Sequence, residues 1–132
     1  MEVIHTDRAP KAIGPYSQAV YDADTRTLYC SGQIGLDPKS GEMVPGGVEE
    51  QFQQVLQNVR GVLSARGMAP EHVLKTTLYL ADMADFLKVN EIYAGFFTPP
   101  FPARSTVAAA GLPKGALVEL EVLARQPLDL ID

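Results

Sequence analysis

The apolar spacing of Val48–Arg66 constrains this chain more than any other stretch. Val48, Phe52, Val55, Leu56, Val59, Val62 and Leu63 recur in the i, i+4, i+7, i+8 pattern of a helix with one buried face. Glu49 and Glu50 lie at the positive N-terminal end of its dipole, and Gly67 supplies a left-handed stop. This is a core-packing helix. Its Gln and Arg residues read as a polar face with no functional assignment.

The rest of the chain must supply the layer that this helix covers, and most of it reads as strands. Glu2–Thr6 forms a short first strand. Gly14-Pro15 sets a bend, and Ile13–Tyr21 leads into a second strand. Asp22–Arg26 is a turn, since Asp and Thr side chains bond nearby backbone donors, and Thr27–Gln33 returns as the other arm of a hairpin. Ser31-Gly32-Gln33-Ile34-Gly35 ends that arm in small residues, where glycine permits close approach of a ligand or simply ends the strand. Asp37–Gly47, with two prolines and three glycines, is a surface loop.

Val73–Leu80 is short and rich in β-formers, hence a strand. Asp82 caps a second helix over Ala84–Phe97, whose buried stripe is Phe86, Val89, Tyr93 and Phe96. Asn90 falls beside that stripe, either partly exposed or turned toward a cavity edge. Pro99-Pro100-Phe101-Pro102 ends the helix by removing donors. Ala103–Ala110 and Ala116–Ala124 are the last two strands, and the tail Pro127–Asp132 is peripheral. The order β-β-β-α-β-α-β-β predicts an α+β fold, a single mixed β-sheet with two helices packed on one face.

Bulk properties narrow the function. A chain of 132 residues and 14.3 kDa is expected to form one domain, residues 1–132, with a core that needs no metal or disulfide. A net charge of −5 and a pI near 4.9 argue against nucleic acid as a partner, because phosphate contacts need clustered Lys and Arg. One cysteine, Cys30, cannot form an intrachain disulfide and is expected to be packed. Met1–Arg8 lacks the apolar block of a signal peptide, and no window approaches the ~18 apolar residues of a membrane span. A cytoplasmic protein with no membrane partner is expected. His5 and His72 are isolated, so no metal is assigned. No GxGxxG or P-loop context is present, and no cofactor is expected.

Two charges remain where apolar strand residues are expected, Arg104 and Glu119. Strand alternation puts Val118, Leu120 and Val122 on one side and Leu117, Glu119, Glu121 and Leu123 on the other. A face bearing Leu117 and Leu123 should not lie in water, which implies that another subunit covers it. If the last two strands form a simple hairpin around Pro113-Lys114, four residues separate Arg104 from Glu119, about 13 Å. The pair then serves one small ligand only at a site between subunits. Without such a site, the two residues are ion-pair or interface residues with no chemistry.

Several motifs resemble those of the RidA/YjgF family in the same order over almost the whole chain. They are Ile13-Gly14-Pro15-Tyr16-Ser17-Gln18, Ser31-Gly32-Gln33-Ile34, Gln51 with Asn58-Val59, Lys75-Thr76-Thr77, Val89-Asn90, Phe101-Pro102-Ala103-Arg104-Ser105, and Leu112-Pro113-Lys114 leading to Val118-Glu119-Leu120-Glu121. The resemblance implies a chorismate-mutase-like fold and a homotrimer with clefts between subunits. It implies hydrolytic deamination of small carboxylate-bearing enamines and imines such as 2-aminoacrylate to 2-keto acids and ammonia, without a cofactor. Carried over by position, Arg104 would bind the substrate carboxylate and Glu119 would orient or activate water. Tyr16, Ser31, Gly32, Asn90 and Thr106 would contact the substrate. Thr106 stands where well-known bacterial members carry cysteine, so thiol-based roles do not transfer. Two other readings are kept: a non-catalytic carboxylate-binding or regulatory protein using the same clefts, and a ribonuclease, disfavoured by the acidic charge and the lack of paired histidines.

Overall fold

A computed structural model describes residues 1–128. In chain order the elements are β1 (Glu2–Ile4), β2 (Ala19–Asp22), β3 (Thr27–Cys30), α1 (Val48–Ser64), β4 (Val73–Leu80), α2 (Phe86–Phe96), β5 (Ala103–Ala108) and β6 (Val118–Arg125). The strands form one mixed sheet in the order β1-β2-β3-β6-β4-β5, in which only β4 and β5 are parallel. The α+β expectation holds, with both helices packed against the sheet. Of the tail expectation, residues 129–132 lie outside the described residues.

Helix α1 begins where the sequence places it. Glu50 reaches back to accept from the Gly47 N–H at 2.8 Å, and Gly67 closes the far end at φ +70°. Phe52, Val55, Val59, Val62 and Leu63 are buried against Leu28, Leu78, Leu120 and Val122 of the sheet. Each such side chain contributes ~1.5–3 kcal/mol. Asp82 caps not α2 itself but the 3-10 turn Met83–Asp85 that leads into it, accepting from the Ala84 N–H at 2.9 Å; α2 starts after Asp85 with no side-chain cap. Val89 and Tyr93 are buried, whereas Phe86 and Phe96 are only partly so. Phe97, in extended conformation just past the helix, fills the place at the end of the stripe.

The structure corrects three expectations. First, β5 and β6 are not a hairpin: β4 lies between them, parallel to β5 and antiparallel to β6. The α2 crossover returns the chain in the same direction as β4, which makes β5 a parallel edge strand. Second, Tyr16 precedes β2, because the Gly14-Pro15 bend extends through Ser17 before pairing starts. Third, Gln51 on α1 is buried, not part of a solvated face, and so is Asn58. Gln51 Oε1 accepts from the Leu117 N–H at 2.9 Å, and Asn58 Nδ2 donates to the carbonyls of Ile34 and Leu36. Buried amides are retained there because the loops they hold have no ladder partner for those backbone groups.

Candidate functional site

The two charges singled out in the sequence stand on opposite faces of the sheet. Arg104 lies level with Thr76 of β4 and, across it, with Val122 of β6, so all three share the face under the helices. Glu119 lies level with Tyr79 and projects from the open face. The register removes the 13 Å hairpin separation and replaces it with a stronger barrier, the sheet itself. Each charge borders a cleft of its own.

On the open face, a cleft of about 530 Å³ is lined by Tyr16, Ser31, Gly32, Glu119 and Glu121, with Lys11 and Lys114 at its walls. Gln33 pairs with Leu120 through both backbone groups, which brings the end of β3 against β6. There the Glu119 side chain lies across Gly32: a Cβ at residue 32 would stand 2.9 Å from the Glu119 Cδ and overlap its carboxylate oxygen. Ser31 Oγ donates to the Ser17 carbonyl at 2.6 Å, tying the Tyr16 bend to the strand end. Behind the bend, the buried Gln18 amide donates to the carbonyls of Thr6, Ala9 and Pro10 and accepts from the Thr6 N–H. Tyr16 itself is 53% exposed, a free wall of the cleft. Burial first, and the neighbouring Glu121 charge second, hold the Glu119 carboxyl above the usual carboxylate range.

On the helix face, Arg104 Nη1 donates to Asn90 Oδ1 at 2.8 Å. Its guanidinium carbon stands 4.7 Å from the Tyr93 ring centroid and 5.4 Å from that of Phe86. Tyr93 is in turn anchored by a 2.7 Å hydrogen bond with the Thr76 hydroxyl. Among the described residues Arg104 pairs with no carboxylate, so its charge is available to an anion. A second cleft of about 360 Å³ opens beside it, lined by Asn90, Tyr93, Ala94, Phe101, Pro102 and Arg104. Asn90 therefore takes the cavity-edge alternative.

The seven expected site residues thus divide: Tyr16, Ser31, Gly32 and Glu119 on one face, Asn90 and Arg104 on the other. Thr106 shares the face of Arg104, level with Leu78, but lines neither cleft. Sequence reasoning missed Tyr93 as the floor beneath the guanidinium, and Lys11, Lys114 and Glu121 as cleft walls. Tyr93 was legible as the residue one helical turn from Asn90. Lys114 was hidden because its place depends on a left-handed backbone, φ 55°, in the turn before β6. A larger open cleft of about 750 Å³ runs along α1 past Arg8, Arg60 and Ser64, and holds none of the expected residues. Arg8, Lys39 and Arg60 share its lining with Asp7 and Asp37, which leaves it without a single-sign recognition surface. No cluster of three metal-ligating side chains occurs among the described residues, and no helix is long and apolar enough to cross a membrane.

Comparison with known proteins gives a consistent set of likenesses. Residues 6–126 match the family described as Endoribonuclease L-PSP. The chain is 54% identical over 125 residues to the 2-iminobutanoate/2-iminopropanoate deaminase of Mus musculus, covering 95% of this chain and 91% of that one. Among solved structures it is similar to YyfA of the conserved Rid protein family from Yersinia pestis, with a TM-score of 0.90 and 46% identity over 95% of this chain and 98% of that one. RidA from an Antarctic Psychrobacter also has a TM-score of 0.90, with 39% identity over 96% and 100% of the two chains.

Proposed function

We propose, since the chain belongs to the RidA/YjgF family described as Endoribonuclease L-PSP, that it hydrolyses reactive enamines and imines such as 2-aminoacrylate and 2-iminopropanoate to 2-keto acids and ammonia. Arg104 binds the substrate carboxylate through two charge-assisted hydrogen bonds, its plane preset by Asn90 and the Tyr93 ring. An enamine such as 2-aminoacrylate first tautomerises to the imine, losing a proton from nitrogen and gaining one on its methylene carbon. Glu119 then takes a proton from water as the water oxygen bonds to the imine carbon and the C=N electron pair moves to nitrogen. It returns that proton to the nitrogen, giving a carbinolamine. A second transfer through Glu119, from the carbinolamine hydroxyl to nitrogen, accompanies C–N cleavage and releases ammonia. Holding carbon and water together is worth several kcal/mol of the barrier, up to ~7–11 in the best intramolecular cases. Tyr16 walls the pocket, Ser31 and Gly32 present polar backbone, and Thr106 contributes no thiol chemistry.

The observation that carries this reading is the placement of Arg104 and Glu119 on opposite sheet faces. No small imine touches both within one chain, so the site is composite: the Arg104 cleft of one copy faces the Glu119 cleft of the next. The open face, where Val3 and Tyr29 lie level with Leu123, Val107 lies level with Glu119, and all three are more than two-fifths exposed, supplies an apolar surface for that contact. A homotrimer closes three such clefts. Its setting is the cytoplasm, in keeping with one unpaired, buried cysteine. RNA is a poor match, since Glu119 and Glu121 would repel phosphates and no histidine lines the cleft.

Mixing tests the composite site directly. Arg104→Ala and Glu119→Gln chains, each inactive alone, are co-expressed and assayed for loss of 2-aminoacrylate generated in the assay. Random assembly restores roughly a quarter of the sites, each built from one intact half of either chain. No restoration in mixed oligomers would show that the two residues act within one chain or not at all. Ligand binding that depends on Arg104 without any imine turnover would favour the carboxylate-binding reading instead.

A further inference from the structure

The open-face cleft contains a second carboxylate that the reaction as written does not use. Glu121 follows Glu119 by two residues on β6, so the two share a face at ~6.6 Å along the strand. Both line the same cleft. Glu121 does not float there: the Tyr79 hydroxyl donates to its Oε1 at 2.6 Å. Tyr79 stands on β4 level with Glu119, and Thr77 level with Glu121, so the hydroxyl crosses diagonally between the strands. Other titratable groups on this side are Tyr16 and Lys11 from the segment before β2, Lys114 from the turn before β6, and Lys75 of β4, whose ammonium donates to Ser105 Oγ at 3.0 Å on the strand beyond.

We propose that Tyr79 and Glu121 are positioning residues for Glu119: the tyrosine hydroxyl pins a second negative charge on the cleft floor, and that charge sets the proton affinity with which Glu119 works on water. The inference rests on the imine-hydrolase reading for its catalytic meaning, and on the strand register for its geometry. A charge fixed beside Glu119 favours its protonated form, the direction in which both burial and Glu121 already act. A general base whose proton affinity lies nearer the working pH accepts the water proton with less thermodynamic cost and still returns it to nitrogen. A free Glu121 side chain would swing toward solvent or toward Lys114 and lose this effect. The short bond from Tyr79 keeps it in place, and the tyrosine proton in turn is held more tightly, chiefly by that bond.

The test follows the Glu119 carboxyl carbon by NMR titration in the full-length, carbon-13-labelled protein, alone and as Glu121→Gln and Tyr79→Phe variants. Glu121→Gln is expected to lower the Glu119 midpoint, since it removes the neighbouring charge and leaves the burial. Tyr79→Phe, which keeps the ring and removes only the hydroxyl, is expected to lower it by a smaller amount. The acid limb of the kcat profile for imine hydrolysis should move with the NMR midpoint. In both variants kcat should fall at neutral pH while KM changes less than twofold, because Arg104 is untouched. Unmoved midpoints in a protein that still deaminates would overturn the coupling and leave the deaminase reading intact. Shifted midpoints in a protein that turns over no imine would uphold the carboxylate coupling and sink the deaminase reading.

Discussion

The Glu119 carboxyl group lies across Gly32 in the volume where any other residue would place its Cβ, with Cδ 2.9 Å and Cγ 3.2 Å from that point. Gly32 is thus needed for space and not for an unusual backbone, since its φ is not among the positive values. Gly32→Ala should fold normally and push Glu119 aside. A displacement of about 1 Å at the reacting group can cost ~100-fold in rate, so kcat should fall by that order while the melting temperature moves little. Full activity in this variant would remove Glu119 from its assigned position.

Arg104→Lys is expected to behave almost as a deletion. Lysine keeps the charge but loses the flat fork that Asn90 and Tyr93 orient. Losing a charge-assisted bond costs ~1.5–3 kcal/mol, or roughly 10- to 100-fold in kcat/KM. Asn90→Ala should give a smaller loss in the same steady-state assay, as it frees the guanidinium without removing it. Equal activity of the lysine variant would mean that only charge is recognised.

Gln18→Ala should weaken the fold more than its size suggests. The change strips the hydrogen bonds from three carbonyls and one N–H around a buried position. Each buried group left unsatisfied costs ~1–3 kcal/mol, with some recovered by water. A loss of at least about 2 kcal/mol in urea unfolding is expected. An unchanged midpoint would show that the bend before β2 is held by something else.

Glu119 should trade stability for chemistry in a pH-dependent way. Its folded pKa is raised above the ordinary value of 4.5, so the folded state binds more protons than the unfolded one between those limits. Stability from this group is fully present below 4.5 and lost as pH rises through the folded value. Glu119→Gln should therefore melt higher than the unsubstituted protein at pH 7, with the gap closing below pH 4.5, while deaminase activity disappears. A variant that melts lower at pH 7 would contradict the half-buried, repelled carboxylate.

Cys30 should be chemically silent. It is 9% exposed, and burial pushes its thiol up to about 12. At pH 8 only about one molecule in ten thousand carries the thiolate, the reactive form. A thiol-disulfide reagent should titrate Cys30 only after unfolding by denaturant. Rapid labelling of the folded protein would mean that β3 opens more readily than its packing implies.

The helices, most strands and the α+β class were legible because each rests on local signals. The α1 stripe has a period that only a helix satisfies, Asp82 and Gly67 mark ends, and β4 is bounded as expected. Arg104 and Glu119 could be singled out for a similar reason: a charge among strand apolars departs from a local pattern. The fates of Gln51 and Asn58 were not legible, because an amide on a helix looks solvated until a distant loop presents its carbonyls.

What the sequence determined alone is which residues alternate along each strand, and so which side chains share a face within that strand. What only the tertiary structure decided is how the strands are placed relative to one another. Inserting β4 between β5 and β6 leaves Arg104 with Val122 under the helices and turns Glu119 to the open side. Pairing depends on where the α2 crossover lands the chain, and on the loss of loop entropy that long-range strand contacts must offset. Neither quantity is written in a local run of residues. The distance that a hairpin would put between the two charges became a sheet between them.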